Sequence, residues 1–201
     1  GSYHGKHPGT FGDAGCFSFY PSKNMTVFGD GGMVVTKDKH VYERVKLLRN
    51  HGVKDRYHHL VLGNNFRVSE IACALGRVQL KRLPSFVQKR RNLATLYSNL
   101  LAKTPLALPS EHANVKHSYH LYVVRTKKRD ALKKYLFKKG IHSEIHYPIP
   151  GHLQKAVPLE YKTSLPLTEK VVQEILSLPI YPKLTEEQVH SICDTTKKFF
   201  K

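Results

Sequence analysis

Gly15-Cys-Phe-Ser-Phe-Tyr-Pro-Ser-Lys23-Asn24, followed by Gly29-Asp-Gly-Gly-Met-Val-Val-Thr36, is the stretch that decides the fold. It reads as a short apolar strand over 15–20, a lysine at its mouth, a glycine-rich turn, and a second apolar strand over 32–36. A lysine so placed is held beside a packed sheet. Partial burial disfavours its charged form, and a neutral amine can attack a carbonyl. The plainer alternative is an ordinary strand-end lysine.

Outward from this segment, Asp38 caps a helix running to about Asn50, closed by His51-Gly52. Residues 53–66 are polar and irregular, with a turn at Gly63-Asn-Asn65. Ser69 caps a helix over 70–83 whose Ile71, Ala72, Ala74, Leu75, Val78 and Leu80 cover much of its circumference, which predicts burial. Pro84-Ser85 is expected to break and recap it, and a second helix continues to about Lys103. Residues 104–118, with Pro105 and Pro109, form the expected linker between a first unit, 1–103, and a second, 119–201. The second unit is predicted to hold a strand over 119–125 and a helix over 130–139 closed by Gly140. A strand over 141–146, a proline-rich loop, a helix over 168–176 and a last helix starting at Thr185 complete it. Two short strands are too few to pack three helices in the first unit, so the chain reads as the back part of a larger protein.

The bulk properties narrow the function. With 40% hydrophobic residues over 201 positions, the chain can bury a sizeable core. No apolar run suits a membrane span and no leader is visible, so a cytoplasmic protein without membrane association is expected. Cys16, Cys73 and Cys193 form no CxxC pair, which fits reduced thiols better than a metal site. The net charge is +18, but the basic residues are dispersed at spacings that suit solvated helix faces. No zinc-finger, helix-turn-helix or RNP pattern accompanies them, so nucleic-acid binding is weakly supported. P-loop, GxGxxG–helix, HExxH and GxSxG patterns are absent.

Two further constellations carry possible chemistry. Asn64-Asn-Phe-Arg67 precedes a helix and combines amide donors with a forked guanidinium suited to phosphate or carboxylate; simple turn chemistry is the alternative. His146-Tyr-Pro-Ile-Pro-Gly-His152 can hold an imidazole on a proline-braced loop. His142, Glu144 and His146 would share a strand face, a conceivable metal trio, but that spacing is common by chance and a fourth ligand is missing, so no metal is expected.

Taken in order, these pieces resemble the DegT/DnrJ sugar aminotransferases, which use pyridoxal phosphate (PLP), and the resemblance covers essentially the whole chain. It rests on Gly12-Asp-Ala-Gly-Cys-Phe-Ser-Phe-Tyr-Pro-Ser-Lys-Asn24, Gly29–Thr36, Leu48-Arg-Asn-His-Gly52 and Gly63-Asn-Asn-Phe-Arg67. It extends to His146-Tyr-Pro-Ile-Pro-Gly-His152-Leu-Gln and Leu176-Ser-Leu-Pro-Ile-Tyr-Pro. Asp30 stands where the family often has Glu. The resemblance implies an α/β fold: the C-terminal part of an aspartate aminotransferase-like, fold type I large domain (1–103) plus the smaller C-terminal α/β domain (119–201). It implies that Lys23 links PLP as a Schiff base and shuttles the proton, and that Ser18 holds the cofactor phosphate. Asn65 would reach the cofactor phosphate of a neighbouring subunit in a homodimer with shared sites, and Arg67 and His152 would lie on the substrate side. Glutamate is the implied amino donor, and a keto sugar attached to a nucleotide the acceptor, in polysaccharide or amino-sugar biosynthesis. The family's earlier half, which supplies the acid at the pyridine nitrogen, lies outside this sequence, so the chain alone is expected to be inactive. The alternatives are a non-catalytic binding or dimerising fragment, or a basic nucleic-acid-associated protein.

Overall fold

The computed structural model describes all residues, 1–201. They fall into two compact units, 1–88 with 111–118, and 89–110 with 119–201. The expected split at 103 and 119 leaves the long helix whole, whereas this division falls inside it.

In the first unit, β1 (Ser2–Tyr3) pairs with β4 (Val115–Lys116), and β2 (Ala14–Ser18) pairs antiparallel with β3 (Gly32–Thr36), Ala14 opposite Thr36 and Ser18 opposite Gly32. The lysine segment therefore connects two paired strands. Asp38 ends the β3 exit and caps α1 (Lys39–Leu48), its Oδ1 accepting from His40 N at 2.7 Å and Val41 N at 3.4 Å. Positive φ at His51 and Gly52 turns the chain away from α1. Val27, 2% exposed, is the apolar anchor of this unit and packs where Gly76 of α2 (Glu70–Leu101) offers no side chain: a Cβ there would stand 3.1 Å from it.

Two expectations about α2 fail. Pro84 lies inside one continuous helix rather than ending it. A proline removes a single i→i−4 hydrogen bond at a cost of roughly 3 kcal/mol, and the part beyond it is anchored by burial of Leu93, Ala94, Tyr97 and Leu101. The apolar positions before Pro84 are not buried: Ile71 is 76% exposed, Leu80 58% and Val78 51%. Only the face at Gly76 meets the Met25–Val27 segment.

In the second unit, β5 (Tyr122–Arg125) pairs antiparallel with β6 (Ile175–Leu178), Tyr122 opposite Leu178. Against them lie α3 (Arg129–Lys138) and α5 (Glu186–Phe199), and a core forms from Tyr97, Leu101, Tyr122, Val124, Leu132, Leu136, Leu176, Val189 and Cys193. The last helix, α5, starts at Thr185 as expected, with a full capping box between Thr185 and Gln188. The short α4 is Pro166–Val172, so the expected helix over 168–176 stops early and its last residues belong to β6. All four β6 residues are buried, and Pro179 favours extended backbone just before it. The expected strand over 141–146 reduces to one antiparallel bridge, Glu144 to Ser177, with N···O distances of 3.1 and 2.7 Å. On either side the chain turns to other partners: His142 meets the Phe137 ring edge-on, and His146 Nδ1 lies 2.9 Å from Ser177 Oγ.

Candidate active site

The lysine segment is built by its flanking strands. Phe19 N donates to Gly31 O at 2.8 Å, extending the β2–β3 pairing, and Lys23 N donates to Tyr20 O at 2.8 Å, closing a turn that brings Lys23 back toward the strand end. Ser18, the last residue of β2, accepts from Tyr20 N at 3.4 Å, which leaves its own O–H proton available to a ligand oxygen. Lys23 is half-buried and its amine has neither a carboxylate nor a hydrogen-bond partner. Asn24 is tied by Nδ2 to Ser118 O at 3.2 Å, while its Oδ1 and the Thr26 hydroxyl are buried without partners. Buried polar atoms of this kind cost free energy unless something satisfies them. An unengaged amine and an unengaged hydroxyl are the donor set that a phosphorylated aldehyde requires, so these residues fit PLP.

The two motifs around 48–52 and 63–67 are brought together by backbone pairing. Asn64 N donates to Leu48 O at 2.8 Å, His51 N to Asn64 O at 2.9 Å, and Phe66 N to Arg49 O at 2.9 Å. Arg67 then donates through Nε to Asn65 Oδ1 at 2.8 Å and through a terminal nitrogen to Asn50 Oδ1 at 3.4 Å. Because arginine only donates, both asparagines must turn their oxygens to it and their NH₂ groups elsewhere. An exposed cluster of amide and guanidinium donors results, suited to an anion. Asn50 was not anticipated as a member; its place in the Leu48–Gly52 motif was the available signal.

Close backbone approach makes this pairing depend on two glycines. A Cβ on Gly52 (φ +69°) would stand 1.8 Å from Val61 O, and one on Gly63 2.2 Å from Gly52 N. Neither contact can relax by side-chain motion. Gly63→Ala is expected to cost well over about 1 kcal/mol and to free the Asn64 and Phe66 amides. A urea midpoint and amide exchange rates matching wild type would show that the loops are not locked this way.

His152 lies in the second unit. It sits on a single 3₁₀ turn, Gly151–Leu153, after buried Pro150, and its Nε2 lies 3.1 Å from Glu169 Oε1. Glu169 carries no local signal in the sequence, because its partner lies 17 residues earlier. The His142–Glu144–His146 trio disperses: Glu144 pairs with Lys133 at 2.8 Å and the histidines take the partners described above. No three His, Cys, Asp or Glu residues gather to hold a metal. Among the expected site residues, Asn65 and Arg67 touch, Ser18 and Lys23 share one short segment, and His152 belongs to the other unit.

The profile of the DegT/DnrJ/EryC1/StrS aminotransferases matches residues 1–197. A UDP-N-acetyl-3-dehydro-alpha-D-glucosamine 3-aminotransferase of Acidithiobacillus ferrooxidans is 41% identical, the match covering 96% of this chain and 53% of the relative. A dTDP-3-amino-3,4,6-trideoxy-alpha-D-glucose transaminase of Streptomyces venezuelae is 38% identical over 98% of this chain and 53% of its own length. The crystal structure of S. venezuelae DesV in complex with a ketimine intermediate superposes with a TM-score of 0.90 at 38% identity, covering 99% of this chain and 54% of that one. The chain thus spans about half the length of the relatives it matches. Its architecture is α/β, that of the C-terminal portion of fold type I PLP-transferases. A match along nearly the whole chain makes this protein a member of the DegT/DnrJ/EryC1/StrS family of PLP-dependent aminotransferases.

Proposed function

We propose that the intact protein transfers an amino group from glutamate to a keto sugar attached to a nucleotide, in amino-sugar or polysaccharide biosynthesis. The observation that carries this reading is Lys23, a half-buried amine with no carboxylate partner, on a turn at the end of β2 in a chain of this family. The UDP- and dTDP-sugar names of the relatives support a nucleotide-linked acceptor. When bound, PLP supplies an electron sink that lets nitrogen pass between two carbons.

The chain's own residues do the rest. Lys23 Nζ links the cofactor and takes and returns the proton during transfer. The Ser18 hydroxyl donates to the cofactor phosphate. Asn65, its oxygen occupied by Arg67, offers its NH₂ to the phosphate in a neighbouring subunit of a cytoplasmic homodimer, while Arg67 and His152 face substrate. In this reading residues 1–103 are the remainder of the cofactor-binding domain, 104–118 the linker and 119–201 the small domain. The direct test is release of 2-oxoglutarate from glutamate by the intact enzyme with PLP and a keto-sugar nucleotide. Cofactor binding without any 2-oxoglutarate, across UDP-, dTDP- and GDP-linked keto sugars, would refute it.

The shared site makes a separate prediction. Asn65→Ala is expected to weaken PLP retention about tenfold, the worth of one charge-assisted hydrogen bond. Mixed with Lys23→Ala protein, it should recover roughly a quarter of wild-type activity, since half of randomly reassorted dimers are mixed and each holds one intact site. No recovery after verified subunit exchange would confine Asn65 to its own loop.

A further inference from the structure

His152 is unusually constrained for a loop histidine. Its side chain is 9% exposed. The turn that carries it is closed by Leu153 N to Pro150 O at 3.0 Å and Gln154 N to Gly151 O at 3.2 Å, and the Gln154 side chain reaches back to Ile149 O at 3.3 Å. The ring is then fixed from one direction only. Nε2 faces Glu169 Oε1 at 3.1 Å, and that same oxygen accepts from Leu165 N at 2.9 Å at the start of α4. The Leu165 amide, and next the His152 hydrogen bond, hold the Glu169 carboxyl below the ordinary carboxylate range. An ionised carboxylate only accepts, so the ring nitrogen facing it must be the one bearing hydrogen. The other nitrogen, Nδ1, has no hydrogen-bond partner and is not sealed from solvent.

We propose that Glu169 is a positioning residue that fixes His152 as the Nε2–H tautomer, so that Nδ1 is presented as a hydrogen-bond acceptor for a hydroxyl or amide N–H of the sugar. This rests on the substrate-side role proposed for His152. It assigns the imidazole to a proton-bearing group of the sugar and not to the diphosphate, whose oxygens carry no proton to give at neutral pH. Metal-ligating and carboxylate-bound histidines elsewhere show the same logic: the bond made by one ring nitrogen decides what the other can do.

The test reads the tautomer directly. In ¹⁵N-histidine-labelled protein above neutral pH, two-bond proton–nitrogen correlations should show His152 with hydrogen on Nε2 and a pyridine-type Nδ1. Glu169→Ala should return it to a tautomer mixture, and Glu169→Gln, whose amide oxygen can still accept from both Nε2 and Leu165 N, should restore most of the wild-type pattern. Hydrogen on Nδ1 in the wild type, or an unchanged spectrum in Glu169→Ala, would overturn the proposal. Should the alanine protein lose α4, the glutamine variant and the wild type still decide it. In the full-length enzyme, Glu169→Ala should raise KM for the keto-sugar nucleotide about tenfold with a much smaller change in kcat, and Glu169→Gln should recover most of that loss. A fixed tautomer with wild-type KM would overturn the recognition role while leaving the aminotransferase reading intact. Failure of the wild-type enzyme to turn over glutamate at all would instead overturn that reading.

Discussion

Borohydride reduction in the presence of PLP is expected to place the label on Lys23, and Lys23→Ala is expected to abolish both the label and amino transfer. The chain is rich in lysine, with Lys and Arg together numbering 33, so selectivity has to come from surroundings. Lysines elsewhere pair with carboxylates, Lys46 with Glu43, Lys133 with Glu144 and Lys197 with Asp194, or are exposed on helices and loops. Lys23 is held by its backbone in a turn after β2, is half-buried, and pairs with no acid. Losing a positioned proton carrier alone costs on the order of 10²–10⁴ in rate, and losing the covalent tether adds to this. Peptide mapping after reduction checks the first part; single-turnover assay of the alanine variant in the full-length enzyme checks the second. Label spread evenly over surface lysines, or an alanine variant within tenfold of wild type, would exclude Lys23 as the linking residue.

What could be read from sequence depended on whether the signal was local. Asp38 and Thr185 cap α1 and α5 as expected because a cap needs only the next three residues. β2 and β3 were visible because apolar runs flank a glycine turn. Where two local signals competed, tertiary packing decided. Ile175-Leu-Ser-Leu178 continues a helical pattern but is buried on both faces, which suits a strand between neighbours; periodicity cannot separate the two. Pro84 signals a break, yet the buried stripe Leu93, Tyr97 and Leu101 keeps the helix running. The apolar circumference of α2 before Pro84 predicted burial, which depends on partners and not on the helix, and Ile71, Val78 and Leu80 stand exposed. Asn65 and Arg67, singled out by their motif, are bonded to each other, whereas the contacts of Asn50 and Glu169 had no local signal because their partners lie 17 residues away in sequence.

Arg90→Ala is expected to produce the largest stability loss of any single change on α2. The Arg90 side chain is 5% exposed, and one terminal nitrogen donates to Ile180 O at 2.8 Å, His120 O at 3.0 Å and Tyr119 O at 3.2 Å. Those carbonyls belong to the chain entering β5 and leaving β6, so one guanidinium ties both strand ends to the helix. Burial lowers its pKa, but arginine stays charged throughout the range in which proteins fold. Such a group costs desolvation energy, more so because its Nε lacks a partner, and it is retained where several carbonyls converge on it. Truncation removes the donor from three carbonyls and opens a cavity beside Tyr97, whose hydroxyl holds the adjacent Pro179 O at 2.9 Å. The expected cost is about 3–5 kcal/mol. Lysine should restore only part of this, since its ammonium carries three donors but sits one atom short of the Arg90 terminal nitrogen that makes all three bonds. Methionine, apolar and shorter, should recover part of the packing without the hydrogen bonds. The loosening should also travel along β6: Ser177 carries both the backbone bridge to Glu144 and the 2.9 Å contact to His146, where the His152 loop begins. Urea denaturation of the three variants gives the energies, and exchange of the Ser177 and Glu144 amides reads the propagation. A loss under about 1 kcal/mol for Arg90→Ala, with unchanged exchange at Ser177, would mean that the two strand ends are held by the apolar core alone.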